Sequence, residues 1–175
     1  MDTVYSVGRG LPFLGRSGLN SGVMLMNLAR LRSIPGGGFT NITKNLYLQY
    51  KNKIGLGDQD IINIFFALHP TLYHELGCNW DYGFIHCQSG HNICLDAEKN
   101  GASLVHGMGN SFRNGRYKHL MALYDGWREH ELGTPIQILV SKIQEKQATQ
   151  NHPCLMTQTY FNVLTKQLSL YTISK

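Results

Sequence analysis

Three short stretches of this sequence carry polar side chains of the kinds that bind or activate a ligand. They contain Asn20 and Ser21, Asp58 and Gln59, and His106 followed by Gly107. Carboxylate, amide and hydroxyl groups hydrogen-bond to polar ligands, and imidazole is the commonest protein ligand for metal ions. Each of these residue types also has ordinary structural uses, so the elements that position them decide which interpretation is favoured.

Asn20 and Ser21 precede the apolar stretch Gly22 to Met26, which predicts a strand buried on both faces of an α/β sheet. Asn27 then follows as the predicted N-cap of a short basic helix from Leu28 to Arg32. Polar residues at the edge of a buried strand can face a cleft and bind a ligand there. The alternative is that Asn20 and Ser21 only satisfy backbone groups at the start of the strand.

Asp58 and Gln59 stand at the start of a predicted helix with a wide apolar face, which Pro70 ends. Asp58 is a favourable N-cap residue and Asp60 suits the first helical turn, so capping alone accounts for Asp58. The alternative is that Asp58 and Gln59 contact a polar substrate beside the helix N-terminus.

His106 ends a short apolar stretch from Ala102, which we predict to be a strand. Open α/β sheets bind ligands at the carboxyl ends of their strands, which makes His106 a candidate ligand residue. A single histidine is otherwise more often an ordinary core or surface residue.

The four cysteines are Cys78, Cys87, Cys94 and Cys154. No pair of them has the two-to-four-residue spacing of a structural zinc site, so we predict disulfides, with three connectivities open. Asn41 begins a glycosylation acceptor sequence, Asn-Ile-Thr. Both features are compatible with a protein of the secretory pathway.

Composition excludes several classes of function. The net charge of +5 is spread along the 175 residues without a dense basic run, so we expect no nucleic-acid partner. No stretch approaches the ~20 apolar residues of a membrane span. We predict a loop over residues 1–18, a motif-bearing core over 19–131 and helices over 132–175, without a domain boundary.

Three motifs, in this order along the chain, resemble those of the family 8 retaining glycosyltransferases. They are NSGVMLMN at 20–27, GDQDIIN at 57–63 and VHG at 105–107. The block CNWDY at 78–82, followed by Cys87 and Cys94, narrows the resemblance to the glucoside xylosyltransferases, which transfer xylose from UDP-xylose to O-linked glucose on EGF-like repeats. The resemblance extends from about Gly15 to about Tyr124. It implies an α/β fold, namely the C-terminal, acceptor-side part of a single-domain nucleotide-diphospho-sugar glycosyltransferase fold with a mixed sheet.

The resemblance also implies roles for individual residues. His106 would be a ligand of Mn²⁺, with Asn20, Ser21, Asp58 and Gly107 in substrate binding. Gln59, a poor nucleophile, would stabilise developing positive charge on the sugar during same-face attack, with Asp58 beside it.

Arg113 or Arg116 would face the donor phosphates, or lie in a solvated loop. Trp80 and Tyr82 would stack on the acceptor sugar or contact the EGF-like module, although core packing is favoured for Trp80.

The two metal-binding aspartates of the resembling family, in a D-x-D motif after a buried strand, have no counterpart in this sequence. We therefore expect them, and an N-terminal membrane anchor, to precede these residues in a longer type II membrane protein of the Golgi or endoplasmic reticulum lumen. Two alternatives stay open, a non-catalytic glycan- or EGF-binding domain of the same fold and another family 8 hexosyltransferase.

Overall fold

The computed structural model describes residues 9–15, 18–87, 91–107, 110–113, 117–149, 165, 166 and 168. The chain divides into two compact units, Met1–Glu75 and Leu76–Lys175. Within the described residues the α-helices of the first unit are α1 (Leu28–Arg32), α2 (Gly38–Tyr50) and α3 (Asp58–Leu68), and those of the second are α4 (Leu95–Asn100), α5 (Lys118–Arg128) and α6 (Ile136–Ala148). In this part of the chain, every helix is too short or too polar to cross a membrane.

The first helix of the N-terminal unit confirms its predicted cap, whereas the strand predicted before it is wrong. The side chain of Asn27 accepts a hydrogen bond from the Arg30 N–H at 3.0 Å, and α1 has the predicted bounds. Residues Gly22 to Met26 form a turn and an irregular segment instead, and Leu25 is 94% exposed. A strand needs a neighbour to pair its backbone, and the described residues of this unit contain no other strand.

Helix α3 provides most of the core of the N-terminal unit. The fully buried side chains of Ile64 and Phe65 pack with Leu46 of α2, and the Phe65 ring contacts that of Phe39 edge-on at 4.8 Å. Helix α3 ends at Leu68, before Pro70 as predicted. The position of Gln59, the second residue of α3, is therefore fixed by a buried helix.

Within the described residues of the C-terminal unit, Tyr82 and Val105 form an isolated parallel bridge where a strand was predicted from Ala102. Tyr82 N–H donates to the Leu104 carbonyl at 3.0 Å and His106 N–H donates to the Tyr82 carbonyl at 2.8 Å. Before Tyr82 the chain forms 3₁₀ turns at Pro70–Leu72 and Cys78–Trp80, and after it another at Phe84–Cys87. The backbone on both sides of Tyr82 is thus in turns and does not continue the bridge into a strand pair. The described residues do not form the predicted mixed sheet.

Two longer helices close the core of the C-terminal unit. Leu123 of α5 packs with Leu139 and Ile143 of α6 and with Tyr82. Gly126 makes this approach possible, because a Cβ there would lie 2.5 Å from Cγ1 of Ile143. Helices were predicted over 132–175, and α6 is one of them, beginning directly after Pro135.

The helices predicted over 132–175 extend beyond α6. Thr165, Lys166 and Leu168 are helical, and the other residues after Thr149 lie outside the described residues.

Candidate functional site

The sequence-predicted site residues divide between the two units. Asn20, Ser21, Asn41, Asp58 and Gln59 lie in the first, and His106, Gly107, Arg113 and the cysteines belong to the second. In the first unit, Asp58 is exposed at the first position of α3, and the N-cap is Gly57, which corrects the prediction that Asp58 caps the helix. Gln59 follows it, partly buried, with its N–H donating to the Leu56 carbonyl at 3.3 Å.

Asp60 organises the loop that leads into α3. Its carboxylate forms a bidentate pair with Arg9, at 2.9 and 3.1 Å, and accepts hydrogen bonds from the N–H groups of Gly55 and Leu56 at 2.7 and 2.8 Å. Burial by itself raises the pKa of Asp60, but the Leu56 and Gly55 amides and the Arg9 guanidinium outweigh it and hold the pKa below its ordinary value. Asp60 is therefore an ionised, buried anchor for the turn that presents Asp58 and Gln59.

Asn63 joins the first two sequence motifs. Its side-chain amide accepts from the Leu19 N–H at 2.7 Å and donates to the carbonyls of Leu19 and Gln59 at 2.9 and 2.8 Å. The residues that follow Leu19 are thereby held beside the first turn of α3. Asn20 then accepts from the Gly22 N–H at 2.8 Å through Oδ1, which is the backbone role considered as the alternative to ligand binding.

Asn41 is exposed within α2 and its side-chain amide donates to the Gly36 carbonyl at 2.8 Å. Thr43, the third residue of the acceptor sequence, directs its hydroxyl to the carbonyls of Phe39 and Thr40. Glycosylation at Asn41 stays a prediction, with the side chain on an accessible face.

His106 lies beside Asp81 in the C-terminal unit. Its Nδ1 is 2.8 Å from Oδ1 of Asp81, and both side chains are about one quarter exposed. The bridge at Tyr82 brings Asp81 and His106 together. Asp81 directly precedes Tyr82, and the His106 N–H donates to the Tyr82 carbonyl. Asp81 was not among the predicted site residues, and it lies 25 residues away from His106 in the sequence.

Beside this pair, the ring of His86 stacks on that of Tyr82 at 5.0 Å. The Gly83 N–H donates to Nδ1 of His86 at 3.0 Å, so the proton of the neutral ring lies on Nε2. Burial lowers the pKa of His86, and the nearby Asp81 carboxylate opposes this in part. His86 is thus a neutral packing group at pH 7.

Gly107 is partly buried beside Phe112, and Arg113 is exposed on a turn, where its backbone N–H donates to the Asn110 carbonyl. Arg116 lies outside the described residues. Arg113 therefore keeps both interpretations, a solvated loop residue and a group able to reach phosphate.

The structure joins Cys78 to Cys94, one of the three open connectivities. Cys87 is disulfide-bonded as well, and Cys154 lies outside the described residues. The prediction that Trp80 packs in the core is wrong, since its side chain is 46% exposed, whereas Tyr82 is fully buried. Cys94 is buried in the core of the C-terminal unit together with Tyr82, whereas Trp80 faces outward.

A cavity of about 900 Å³ opens beside Trp80. Its aromatic lining residues are Trp80, Phe112, Tyr124 and Trp127, and aliphatic side chains of the core form its floor. Ser103 contributes a hydroxyl, whose oxygen accepts from the Asn79 side-chain amide at 3.2 Å. Half-exposed aromatic faces with a hydroxyl at the edge suit a ligand that has both apolar and hydroxylated faces, such as a pyranose.

Groups of three or more metal-ligating side chains do not occur within the described residues. His106 offers one imidazole nitrogen, Nε2, while Nδ1 is held by Asp81. This is the usual arrangement of a metal-binding histidine, whose other nitrogen is hydrogen-bonded to a carboxylate. The described residues thus fit one ligand of a metal site and its supporting carboxylate.

Among curated proteins the chain is similar to glucoside xylosyltransferases of vertebrates. It is 39% identical to glucoside xylosyltransferase 2 of Mus musculus over 126 residues, which are 67% of this chain and 28% of that protein. Identity to the Xenopus laevis protein of the same name is 39% over 127 residues, 68% of this chain and 30% of the relative. Glucoside xylosyltransferase 1 of Mus musculus is 32% identical over 168 residues, 90% of this chain and 41% of the relative.

The chain thus spans roughly three to four tenths of the length of these relatives. No protein-family model matches the chain. No solved structure matches it either.

Proposed function

The chain is a relative of the glucoside xylosyltransferases, and on that premise we propose that it acts in the transfer of xylose from UDP-xylose to a glucoside. The observation that carries the proposal is the 39% identity over 126 residues, and the chain also contains the three motifs in order at 20–27, 57–63 and 105–107. The fold proposed for the whole protein is a nucleotide-diphospho-sugar glycosyltransferase domain with a mixed sheet completed by residues beyond those described.

The geometry of α3 supports a role in binding the donor. Gln59 lies at the start of a buried helix, beside the segment that contains Asn20 and Ser21. An amide oxygen held on a rigid element can stabilise positive charge that develops on the sugar during same-face transfer, and Asp58, exposed next to it, would bind sugar hydroxyls.

His106 and Asp81 support a role in holding a divalent metal, for which we propose Mn²⁺. Imidazole combined with carboxylate and phosphate oxygens suits this ion. The metal would neutralise charge on the diphosphate of the leaving nucleotide. In this chain Asp81 would orient the imidazole of His106 through Nδ1, leaving Nε2 for the ion.

We expect UDP-xylose to bind in the presence of Mn²⁺, and His106→Ala to weaken Mn²⁺-dependent binding tenfold or more, since loss of even a supporting contact to a metal ligand costs that much. Calorimetric titration of UDP-xylose with and without Mn²⁺ measures this. His130→Ala, which removes a histidine on the same unit away from the Asp81 pair, is the matched control. Unchanged Mn²⁺ dependence in the His106 variant would exclude the metal role.

UDP-glucose and UDP-galactose in the same titration distinguish the xylosyltransferase from another family 8 hexosyltransferase. Release of UDP in the presence of an O-glucosylated EGF-like repeat tests transfer to the proposed acceptor. Binding of the repeat without any release of UDP would favour the non-catalytic glycan- or EGF-binding domain. In the cell we propose the lumen of the secretory pathway, in keeping with the Cys78–Cys94 disulfide.

The aromatic cavity supports the acceptor half of the proposal. We expect Trp127→Ala to weaken binding of a glucoside about fivefold, because an aromatic face that covers a sugar ring contributes on the order of 1 kcal/mol. Fluorescence titration with an O-glucosylated peptide measures it. Trp127→Phe should retain most of the affinity, and Leu132→Ala, at a 98% exposed position outside the cavity lining, should change nothing. Equal affinities for all three variants would contradict an acceptor site here.

A further inference from the structure

Asn63 is, with Asp60, one of two buried polar residues of α3, and the proposed chemistry makes no direct use of it. Its side chain is 1% exposed, and its neighbours Ile62, Ile64 and Phe65 all belong to the core of the N-terminal unit. A buried amide without partners is strongly unfavourable, so the contacts that Asn63 makes are what keep it there.

Those contacts form a two-point clamp on the backbone of a single residue. Oδ1 of Asn63 accepts from the Leu19 N–H, and Nδ2 donates to the Leu19 carbonyl, at 2.7 and 2.9 Å. The same Nδ2 also donates to the Gln59 carbonyl one helical turn earlier, at 2.8 Å. The side chain of Asn63 thus satisfies both backbone groups of Leu19, as a neighbouring strand would do in a sheet.

Gly18, the residue before Leu19, shows how closely this backbone approaches the side chain of Asn63. Gly18 has a φ of +74°, and a Cβ there would lie 2.6 Å from Oδ1 of Asn63 and 2.4 Å from the ring of Phe13. Only glycine fits this backbone conformation and this distance. Directly after Leu19, the Asn20 side chain closes a turn on the Gly22 N–H, which fixes the direction in which Ser21 leaves the clamp.

We propose that Asn63 is a positioning residue, which sets the Asn20–Ser21 segment against the turn of α3 that carries Gln59 and thereby shapes the donor sugar site. This inference rests on the proposed function, because it assigns Asn20, Ser21 and Gln59 to the recognition of UDP-xylose. Asn63 acts through the backbone of Leu19 and Gln59 and touches no substrate.

The test uses the full chain labelled for NMR, with Asn63→Leu as the main variant. Leucine has the same number and branching of side-chain heavy atoms as asparagine; it is bulkier and makes none of the three hydrogen bonds. Asn63→Asp keeps the acceptor for the Leu19 N–H, but it replaces the donor by a carboxylate oxygen that faces the Leu19 and Gln59 carbonyls. Asn45→Leu, at an exposed position of α2, is the matched control.

Amide hydrogen exchange reports the clamp directly. We expect exchange of the Leu19 amide to rise about tenfold relative to the Phe65 amide in Asn63→Leu, to rise as well in Asn63→Asp, and to stay close to wild type in Asn45→Leu. If the Leu19 and Phe65 amides accelerate by the same factor, Asn63 acts on overall stability alone and the proposal is overturned.

Titration with UDP-xylose reports the positioning role. We expect the amide signals of Ser21 and Gln59 to shift together in the wild type, and the Ser21 response to be lost in Asn63→Leu. If both responses persist in a variant whose clamp is open, Asn63 does not position the site. If neither signal shifts in the wild type, it is the proposed function at this site that fails, and the exchange ratio alone then supports or overturns the clamp.

Discussion

Asp60→Ala is expected to lower the free energy of unfolding of the N-terminal unit by about 3 kcal/mol, because removing one partner of a buried ion pair leaves the other without compensation. The substitution removes the acceptor of the Arg9 guanidinium and of the Gly55 and Leu56 amides together. Urea unfolding followed by far-ultraviolet circular dichroism measures the loss, and exchange of peptides that cover α3 assigns it to this unit.

Asp58→Ala is the matched control, since Asp58 is exposed in the same helical turn and contributes at most its interaction with the helix dipole, below about 1 kcal/mol. The pKa of Asp60 is held below its ordinary value of 3.8. Its carboxylate therefore stabilises the unit fully above that pH, and this stabilisation is lost as the pH falls through the lower pKa of the folded state. A difference between the wild type and Asp60→Ala that stays constant below pH 3.8 would contradict an ionic role.

Removal of the Cys78–Cys94 disulfide is expected to destabilise the C-terminal unit by about 3 kcal/mol, the cost estimated for opening a closed loop of this length. The two cysteines are separated by 16 positions. The double variant Cys78→Ser, Cys94→Ser is the appropriate form, because Sγ of Cys94 also accepts from the Ala97 N–H at the start of α4 and a serine hydroxyl can replace it there. Fluorescence of Trp80 and Trp127, both in this unit, follows its unfolding in urea.

Reduction provides the control for this second experiment. A reducing agent should destabilise the wild type by more than it destabilises the double variant, in which only the disulfide of Cys87 remains to be reduced. Asp81 lies inside the 78–94 loop, so we also expect the contact between Asp81 and His106 to loosen. Wild-type stability in the double variant would show that the bridge does not hold the loop.

Features that depend on neighbours in sequence could be predicted, and those that depend on distant residues could not. The N-cap at Asn27 and the end of α3 before Pro70 are each determined by a few consecutive residues. A strand depends on a partner, so the apolar stretch Gly22 to Met26 predicted one where the described residues provide nothing to pair with it. Local pattern therefore placed α1 and α3 well, did not predict α2 or α4, and placed the strands poorly.

The candidate site shows the same division. The resemblance selected Gln59 and His106, but the residues that hold them in place come from far along the chain. Arg9 is 51 positions from Asp60, and Leu19 is 44 positions from Asn63. Composition and spacing contain no signal for such pairs, because an aspartate in a first helical turn and a lone asparagine are both ordinary.

Trp80 shows a third kind of error. Its neighbouring cysteine correctly indicated a disulfide, and burial of the tryptophan was then inferred from proximity. In the structure Cys94 is buried while Trp80 lines an open cavity. A disulfide constrains which backbones are near each other, but it does not decide which side of the chain faces water.

The exposed apolar side chains around Leu25 have a consequence for the colloidal behaviour of the chain. Leu25, Met26 and Leu28 present apolar area to solvent next to the two arginines of α1, and the chain carries a net charge of +5. Mutual repulsion keeps copies apart at low ionic strength, where the screening length is long. Added salt shortens that length, and sulfate further strengthens the attraction between apolar surfaces. We therefore expect the chain to be most dispersed in dilute buffer and to associate as salt is added.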